Sequence, residues 1–467
     1  MKKTKIICTL GPATESPEIL ESLIREGADI FRLNMSHARH DWVRGVVKNI
    51  REISKKTDHP VGILMDTQGP AIRTGDLPAA FDLKPGDKLD FTVRGAKSEE
   101  IYSVDVNYDG LINDIHVGDT VLVDNGVIHL KVLDKKHNVI HCEVLTPGNL
   151  GSRRHINLPG VKVNLPPLTE KDLADIAVGI EVGIDFFALS FCREASDIIA
   201  LSRVLHKKGS DAKVIAKIED QHAVKYIDDI IKAADGVMVA RGDLGIECPM
   251  EELPIIQRRI VKHCIRYSKP VIVATHMLES MIINPVPTRA EVTDVANAIY
   301  EQADAIMLSG ETTVGKYPVE CVKTFVRVAE RIERSGGAEF AEKTELNDIR
   351  QKTIRSGLVL ANSLDDAKVV VFTRVGIMAN FTSNLRPKYA PIFAFTPSER
   401  VVSQLTLNRA VHPICMDFSE YPERTVEAAE EYLKKAGLVK IGDPIVILSD
   451  ILGRDTRFDS IQLRHIE

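Results

Sequence analysis

The sequence predicts an α/β fold: a closed (β/α)8 TIM barrel, interrupted by a small all-β lid and followed by a separate C-terminal α/β domain. Three observations predict it. Eight short apolar runs recur through the first two thirds of the chain with helix-like stretches between them. One segment breaks that rhythm with clustered turn signals. After Arg334-Ser335-Gly336-Gly337 an α/β alternation begins again. The expected boundaries are 1–69 for the first part of the barrel, 70–166 for the lid, 167–337 for the second part of the barrel and 338–467 for the C-terminal domain.

The eight runs are Ile6–Leu10, Ile30–Met35, Val61–Met65, Phe186–Ser190, Val214–Ile218, Gly236–Ala240, Val271–Ala274 and Ala305–Leu308. Strands apolar on both faces belong in a parallel sheet covered by helices. Eight of them suggest closure. An open doubly wound sheet is the alternative, but no Gly-x-Gly-x-x-Gly or Walker lysine loop supports it. Helices are expected at 17–26, 38–56, 169–182, 193–207, 251–266, 288–300 and 318–334. In the sixth of these, Thr288 and Glu291 form a capping box, and Val292, Val295, Ala296 and Ile299 form the inward stripe.

Segment 70–166 carries turns at Lys84-Pro85-Gly86-Asp87, Val117-Gly118-Asp119 and Asp124-Asn125-Gly126, with alternating runs at 120–123 and 127–130. It is inserted at the carboxyl end of a barrel strand, the face where barrel active sites lie. A module hung there can close over a reaction and exclude water. A passive insertion is the plainer alternative. Beyond 337, helices are expected at 351–363, 376–385, 398–406 and 422–436, and strands at 369–372, 392–395, 414–416 and 445–448.

The chain's 467 residues exceed one ordinary core. Sixty basic against sixty-six acidic residues give a net charge of -6, which argues against nucleic acid or an anionic membrane as the main partner. The seven cysteines are dispersed, without metal spacing, as in reduced thiols. Met1-Lys2-Lys3-Thr4 runs straight into a strand, so a cytoplasmic location is expected.

The strand ends carry the chemistry. Strand two ends in Arg32, Asn34 and Ser36, and strand three in Asp66 and Thr67 with Arg73 beyond. Strand four gives Ser190, strand five Lys217 and Glu219, and strand six Arg241, Gly242 and Asp243. Strand seven gives Thr275 and His276, and strand eight Ser309, Gly310 and Glu311. Glu219 and Asp243 are a candidate pair of hard oxygen ligands for magnesium, which prefers carboxylates, waters and phosphate oxygens. An ordinary ion pair is the alternative. Lys217 can neutralise Glu219 and stabilise an oxyanion. Arg32 can grip a phosphate in fork geometry. The glycine turn at 241–245 allows close backbone approach to an anion. His276 is as readily structural as functional.

These stretches resemble the pyruvate kinase family over almost the whole chain. The likeness rests on Ile6-Ile7-Cys8-Thr9-Leu10-Gly11-Pro12-Ala13, Arg32-Leu33-Asn34-Met35-Ser36-His37 and Ala216-Lys217-Ile218-Glu219. It continues through Met238–Gly245, Ala274–Met281, Pro287–Glu291 and Met307–Thr312, in the expected order.

The resemblance implies transfer of a phosphoryl group from phosphoenolpyruvate to ADP, giving ATP and pyruvate. It implies that Glu219 and Asp243 hold Mg2+ (or Mn2+), a second magnesium arriving with the nucleotide. Arg32 and Lys217 contact the phosphoryl group, Lys217 also the enolate. Gly242 and Asp243 amides with Thr275 hold the substrate carboxylate. Arg73 approaches the phosphate, and Asp124 faces the nucleotide. Asn34, Ser36, Asp66 and Thr67 form the K+ site, and Asn34 and Arg73 also serve the nucleotide side. A water relay near Thr275 and Ser309 protonates the enolate. A homotetramer is implied too.

Four departures bear on these expectations. Ala71 stands where potassium-requiring members usually have glutamate, although the cation ligands remain. Gln68 stands where lysine is frequent, and His276 where glutamine is. In the C-terminal domain, Thr373–Asn380 offers few hydroxyls for the sugar-phosphate effector of some relatives. Thr382, Ser383 and Asn384 are candidates to compensate, and Arg454 or Arg457 to reach an anion, so an allosteric phosphometabolite stays open. Two other functions stay open as well: a metal-dependent barrel aldolase or lyase acting through a pyruvate enolate, and a non-catalytic metabolite sensor.

Overall fold

The computed structural model describes residues 1–344, 346, 348–452 and 457–467, with backbone alone at 450–452 and 457–458. Eight parallel strands close into a barrel in chain order: Lys5–Thr9, Ile30–Asn34, Gly62–Asp66, Phe186–Leu189, Lys213–Ile218, Gly236–Ala240, Val271–Ala274 and Ala305–Leu308. The ring shuts where Lys5 pairs with Ala305 and Cys8 with Leu308. The alternation of the strands separates two apolar sets. Ile7, Ile30, Leu64, Phe186, Ile215, Met238, Ile272 and Met307 fill the interior. Phe31, Ile63, Phe187, Val214, Val237 and Val273 face the surrounding helices.

The helical region after strand five escapes the sequence reading. After strand five the chain forms Gln221–Lys225 and Ile227–Ala233, broken at Tyr226. Asp220 caps the first piece by accepting from the Ala223 N–H. Both pieces are too short for a 3.6-residue period to stand out, although Ile227, Ile230 and Ile231 are buried. The helix expected at 251–266 starts at Leu253, after a 3-10 turn at Met250–Glu252. The Thr288–Glu291 capping box is present, but the buried face of that helix is Val295, Ala298 and Ile299. Val292 and Ala296 are only half-buried, because the helix leans on its neighbours through the later residues.

Between strands three and four, a six-stranded sheet and a two-stranded ribbon build the lid around their own core of Leu89, Phe91, Val121, Leu130 and Ile140. The hairpin joining Thr120–Val123 to Ile128–Lys136 turns through Asp124, Asn125 and Gly126, all left-handed, with φ of 54°, 56° and 80°. That turn carries Asp124 at its tip.

The C-terminal sheet holds four parallel strands, ordered Val411–Cys415, Ile392–Thr396, Lys368–Phe372 and Pro444–Leu452, with Arg457–His465 antiparallel at the edge. The third strand in sequence starts at Val411, earlier than the apolar run at 414–416 suggests, and the edge strand is an addition to the sequence reading. This domain caps the end of the barrel opposite the carboxyl ends of the strands. Lys5 Nζ donates to the Val411 carbonyl at 2.7 Å, and Arg386 pairs with the wholly buried Asp304 at 2.6 Å. Leu407 reaches into the barrel interior.

The effector segment differs from expectation. Thr382, Ser383 and Asn384 are buried on the inner side of their helix. Thr382 Oγ1 donates to the Met378 carbonyl and Ser383 Oγ to that of Arg409, so neither hydroxyl serves an anion. The Arg374 guanidinium lies 5.3 Å above the Phe418 ring. Arg454 and the Arg457 side chain lie outside the described residues. Among the described residues, no helix is long and apolar enough to cross a membrane.

Candidate active site

The carboxyl ends of the strands and the underside of the lid enclose a cavity of about 390 Å³. Its walls include Arg32, Asn34, Ser36, Thr67, Arg73, Asp124, Lys217, Glu219 and Asp243. Residues separated by more than two hundred positions thus meet in one cleft. Gln68 and Ala71 line it too.

At its floor is a compact ionic network. Lys217, from strand five, has its Nζ 2.7 Å from Glu219 Oε1 and 3.2 Å from Asp66 Oδ1, and donates to Ser190 Oγ at 2.8 Å. Asp66, at the end of strand three, is 1% exposed. Its other oxygen takes Arg32 Nε at 2.7 Å and an Arg32 terminal nitrogen at 2.6 Å. Arg32 also donates to Thr9 Oγ1 at 3.1 Å. The second Glu219 oxygen accepts the Phe191 N–H at 2.6 Å.

The electrostatics follow from this packing. Burial works against the Lys217 charge, yet Asp66 and Glu219 outweigh it and hold the ammonium above the usual lysine range. Burial likewise opposes the Asp66 charge, but Lys217 and Arg32 hold that carboxyl below its usual range. Glu219 goes the other way. Burial pushes it up, Lys217 opposes, and nearby Asp243 adds to the rise. A desolvated carboxylate beside a second carboxylate is a pair that gains from a divalent cation. The donor set fits such an ion: two hard oxygens facing an open cavity that admits phosphate or water oxygens. Among the described residues, no cluster of three or more His, Cys, Asp or Glu side chains forms a closed cage.

Strand six leads directly into the short helix Arg241–Glu247. The Gly242 N–H donates to Thr275 Oγ1 at 2.8 Å, so these two carboxylate-binding candidates hold one another. Thr275 adopts φ 51°, which turns the chain sharply after strand seven. Arg241 is committed elsewhere, forking onto both Asp294 oxygens at 2.6 and 2.7 Å. Ser309 follows strand eight. Its buried Oγ has no hydrogen-bond partner among the described residues. Gly242, Thr275 and Ser309 come just after strands six, seven and eight, outside the cavity wall formed by the other candidates. Of the potassium set, Asn34, Ser36 and Thr67 reach the wall, while Asp66 lies beneath it.

The lid supplies residues that sequence reasoning missed. Asn125, Arg153, Arg154 and His155 line the cleft. Arg154 reaches Asp124 at 3.3 Å. The adjacent basic pair Arg153-Arg154, just before the chain returns to the barrel, is the signal that marks them. Together with Arg32, Arg73 and Lys217 they give the cleft the positive charge that a polyphosphate requires.

Comparison with known proteins gives one consistent answer. The family model for the pyruvate kinase barrel domain matches residues 1–322, and that for the pyruvate kinase alpha/beta domain matches 351–461. The pyruvate kinase of Geobacillus stearothermophilus is 42% identical over 477 residues, spanning 100% of this chain and 80% of that protein. Plastidial pyruvate kinase 2 of Arabidopsis thaliana is 41% identical over 479 residues, spanning 100% and 81%. The crystal structure of a pyruvate kinase from Cryptosporidium parvum superimposes with a TM-score of 0.94 at 32% identity, covering 100% of this chain and 96% of that one.

Proposed function

Because the chain belongs to the pyruvate kinase family, we propose that the cleft between barrel and lid is its catalytic centre and that its side chains divide the work as follows. The enzyme transfers the phosphoryl group of phosphoenolpyruvate to ADP, giving ATP and pyruvate. The observation that carries the assignment of roles is the Lys217 ammonium, set between Asp66 and Glu219 at the cleft floor.

Phosphoryl transfer needs alignment and charge neutralisation more than covalent help. The ADP β-phosphate oxygen forms the new bond to phosphorus as the bond to the enol oxygen breaks, leaving an enolate. Arg32 is aimed by Asp66 and Thr9 and keeps two N–H groups free for the phosphoryl oxygens. Lys217 is held charged and can follow the negative charge from phosphate to enolate oxygen. Gly242, Asp243 and Thr275 bind the substrate carboxylate. Arg73, Asp124 and Asn34 serve the nucleotide side. Ser309 and Thr275 hold the water that delivers a proton to the enolate carbon.

Glu219 and Asp243 are the residues that hold Mg2+ or Mn2+. When bound, the divalent ion neutralises charge on the phosphoryl and enolate oxygens. K+ is assigned to Asn34, Ser36, Asp66 and Thr67, with Ala71 leaving room beside it. On this reading the enzyme is a cytoplasmic homotetramer. Ile255, Ile349 and Val359 are exposed apolar side chains open to such contacts.

A coupled assay tests the assignment. Pyruvate formation should require ADP, phosphoenolpyruvate and a divalent ion together. Carbon–carbon cleavage without ADP would reject the kinase in favour of a lyase. Ligand binding without turnover would favour a sensor.

A further inference from the structure

His155 lies where the lid meets the barrel. Its backbone bridges Arg73, and its carbonyl accepts the Asp124 N–H at 3.0 Å. The two lid residues assigned to the nucleotide side are therefore both tied to this position. Its ring meets the barrel. The imidazole stands edge-on to the Phe191 ring, with centroids 5.7 Å apart at 60°. Phe191 follows strand four in a left-handed conformation, φ 52°. Its N–H is the donor that holds Glu219, and a Cβ built on Gly69 would come 2.8 Å from its ring. The barrel half of the contact is thus tightly seated, and the lid half carries the nucleotide-side groups.

We propose that His155 is a positioning residue: its ring, docked on Phe191, sets the register of Arg73 and Asp124 over the barrel mouth. It acts as an aromatic surface. The assignment rests on the kinase reading above. An edge-to-face ring pair contributes ~0.5–1.5 kcal/mol, so losing it should cost about 2- to 12-fold.

The test is a kinetic split on the full-length enzyme. His155→Ala should raise KM for ADP by about 2- to 12-fold, while Mn2+ affinity, read by electron paramagnetic resonance without nucleotide, stays at the wild-type value. His155→Phe should restore KM for ADP, and Phe191→Leu should reproduce the alanine defect. The double variant His155→Ala/Phe191→Leu should be no worse than either single one. Equal losses in the alanine and phenylalanine variants would overturn the proposal, since an imidazole-specific role would then be at work. So would additive effects, an unchanged KM for ADP, or a fall in Mn2+ affinity matching the kinetic loss. Failure of the kinase reading itself would look different: wild-type enzyme would then make no pyruvate from phosphoenolpyruvate and ADP.

Discussion

Lys217 Nζ lies 2.7 Å from Glu219 Oε1, two residues on and just past the end of its strand, and 3.2 Å from Asp66 Oδ1, which comes from strand three. One ammonium thus joins a carboxylate assigned to the divalent ion and a carboxylate that aims Arg32. The proposed catalytic cation is held by two carboxylates and the Ser190 hydroxyl.

Replacing Lys217 by methionine should lower kcat by about 10²–10³-fold, the range seen when one oxyanion donor is removed. KM for phosphoenolpyruvate should change far less, because Arg32 and the carboxylate site remain. Steady-state kinetics at saturating ADP and Mg2+ read the split. A methionine variant with near-normal turnover would remove Lys217 from its role.

Glu247 should weaken the fold as pH rises. Burial first, then nearby Asp220, push its carboxyl up to about 7, against a hydrogen bond from Asn157 Nδ2 at 3.0 Å. The native state then binds the proton more tightly than the unfolded chain does. Its contribution is most favourable below the unfolded value near 4.5 and is lost as pH climbs to about 7. Glu247→Gln keeps the Asn157 contact without the charge. It should stabilise the enzyme by about 1–3 kcal/mol at pH 8, and by little near pH 4.5. Urea unfolding at the two pH values measures this.

Arg386 and Asp304 should matter for the fold and not for chemistry. The pair is buried on the barrel face away from the cleft, at 2.6 and 3.0 Å. Arg386→Met leaves Asp304 charged and short of a partner, a loss of about 3–5 kcal/mol. The urea midpoint should fall, with kcat of the remaining folded enzyme unchanged. A stable variant with lost turnover would reverse that assignment.

Gly126 fixes the tip of the lid hairpin. Its φ is 80°, and an added Cβ would sit 3.2 Å from Ile246 Cγ2 on the helix that carries Asp243. Gly126→Ala should therefore cost about 1–2 kcal/mol in the turn and lift Asp124 from the cleft. KM for ADP should rise more than KM for phosphoenolpyruvate. Equal changes in both would place the effect elsewhere.

Much of the site is legible in the sequence because barrel strands announce where their polar ends fall. Arg32 and Lys217 interrupt apolar runs, and Glu219 and Asp243 come just after them, so the rule that barrel chemistry gathers at the carboxyl ends finds them. The helix at 221–233 is hidden because Tyr226 splits it into pieces shorter than a periodic signal requires. Arg153, Arg154 and His155 are hidden for another reason. They follow no apolar run, and their approach to the cleft depends on how the lid folds back. Thr382 and Ser383 mislead in the opposite sense, since hydroxyls that look available in sequence turn inward to helix and loop carbonyls.

Composition, strand count and the ordered motifs decided the barrel, the family and most of the charged groups, because these depend on local alternation of apolar and polar residues. Tertiary structure alone decided that Asp66 is an anchor for both Arg32 and Lys217, that Gly242 and Thr275 bond to each other, and that a lid imidazole rests on Phe191. Such pairings need a closed ring of strands and a docked module. Distances between residues far apart in the chain exist only once packing has fixed both.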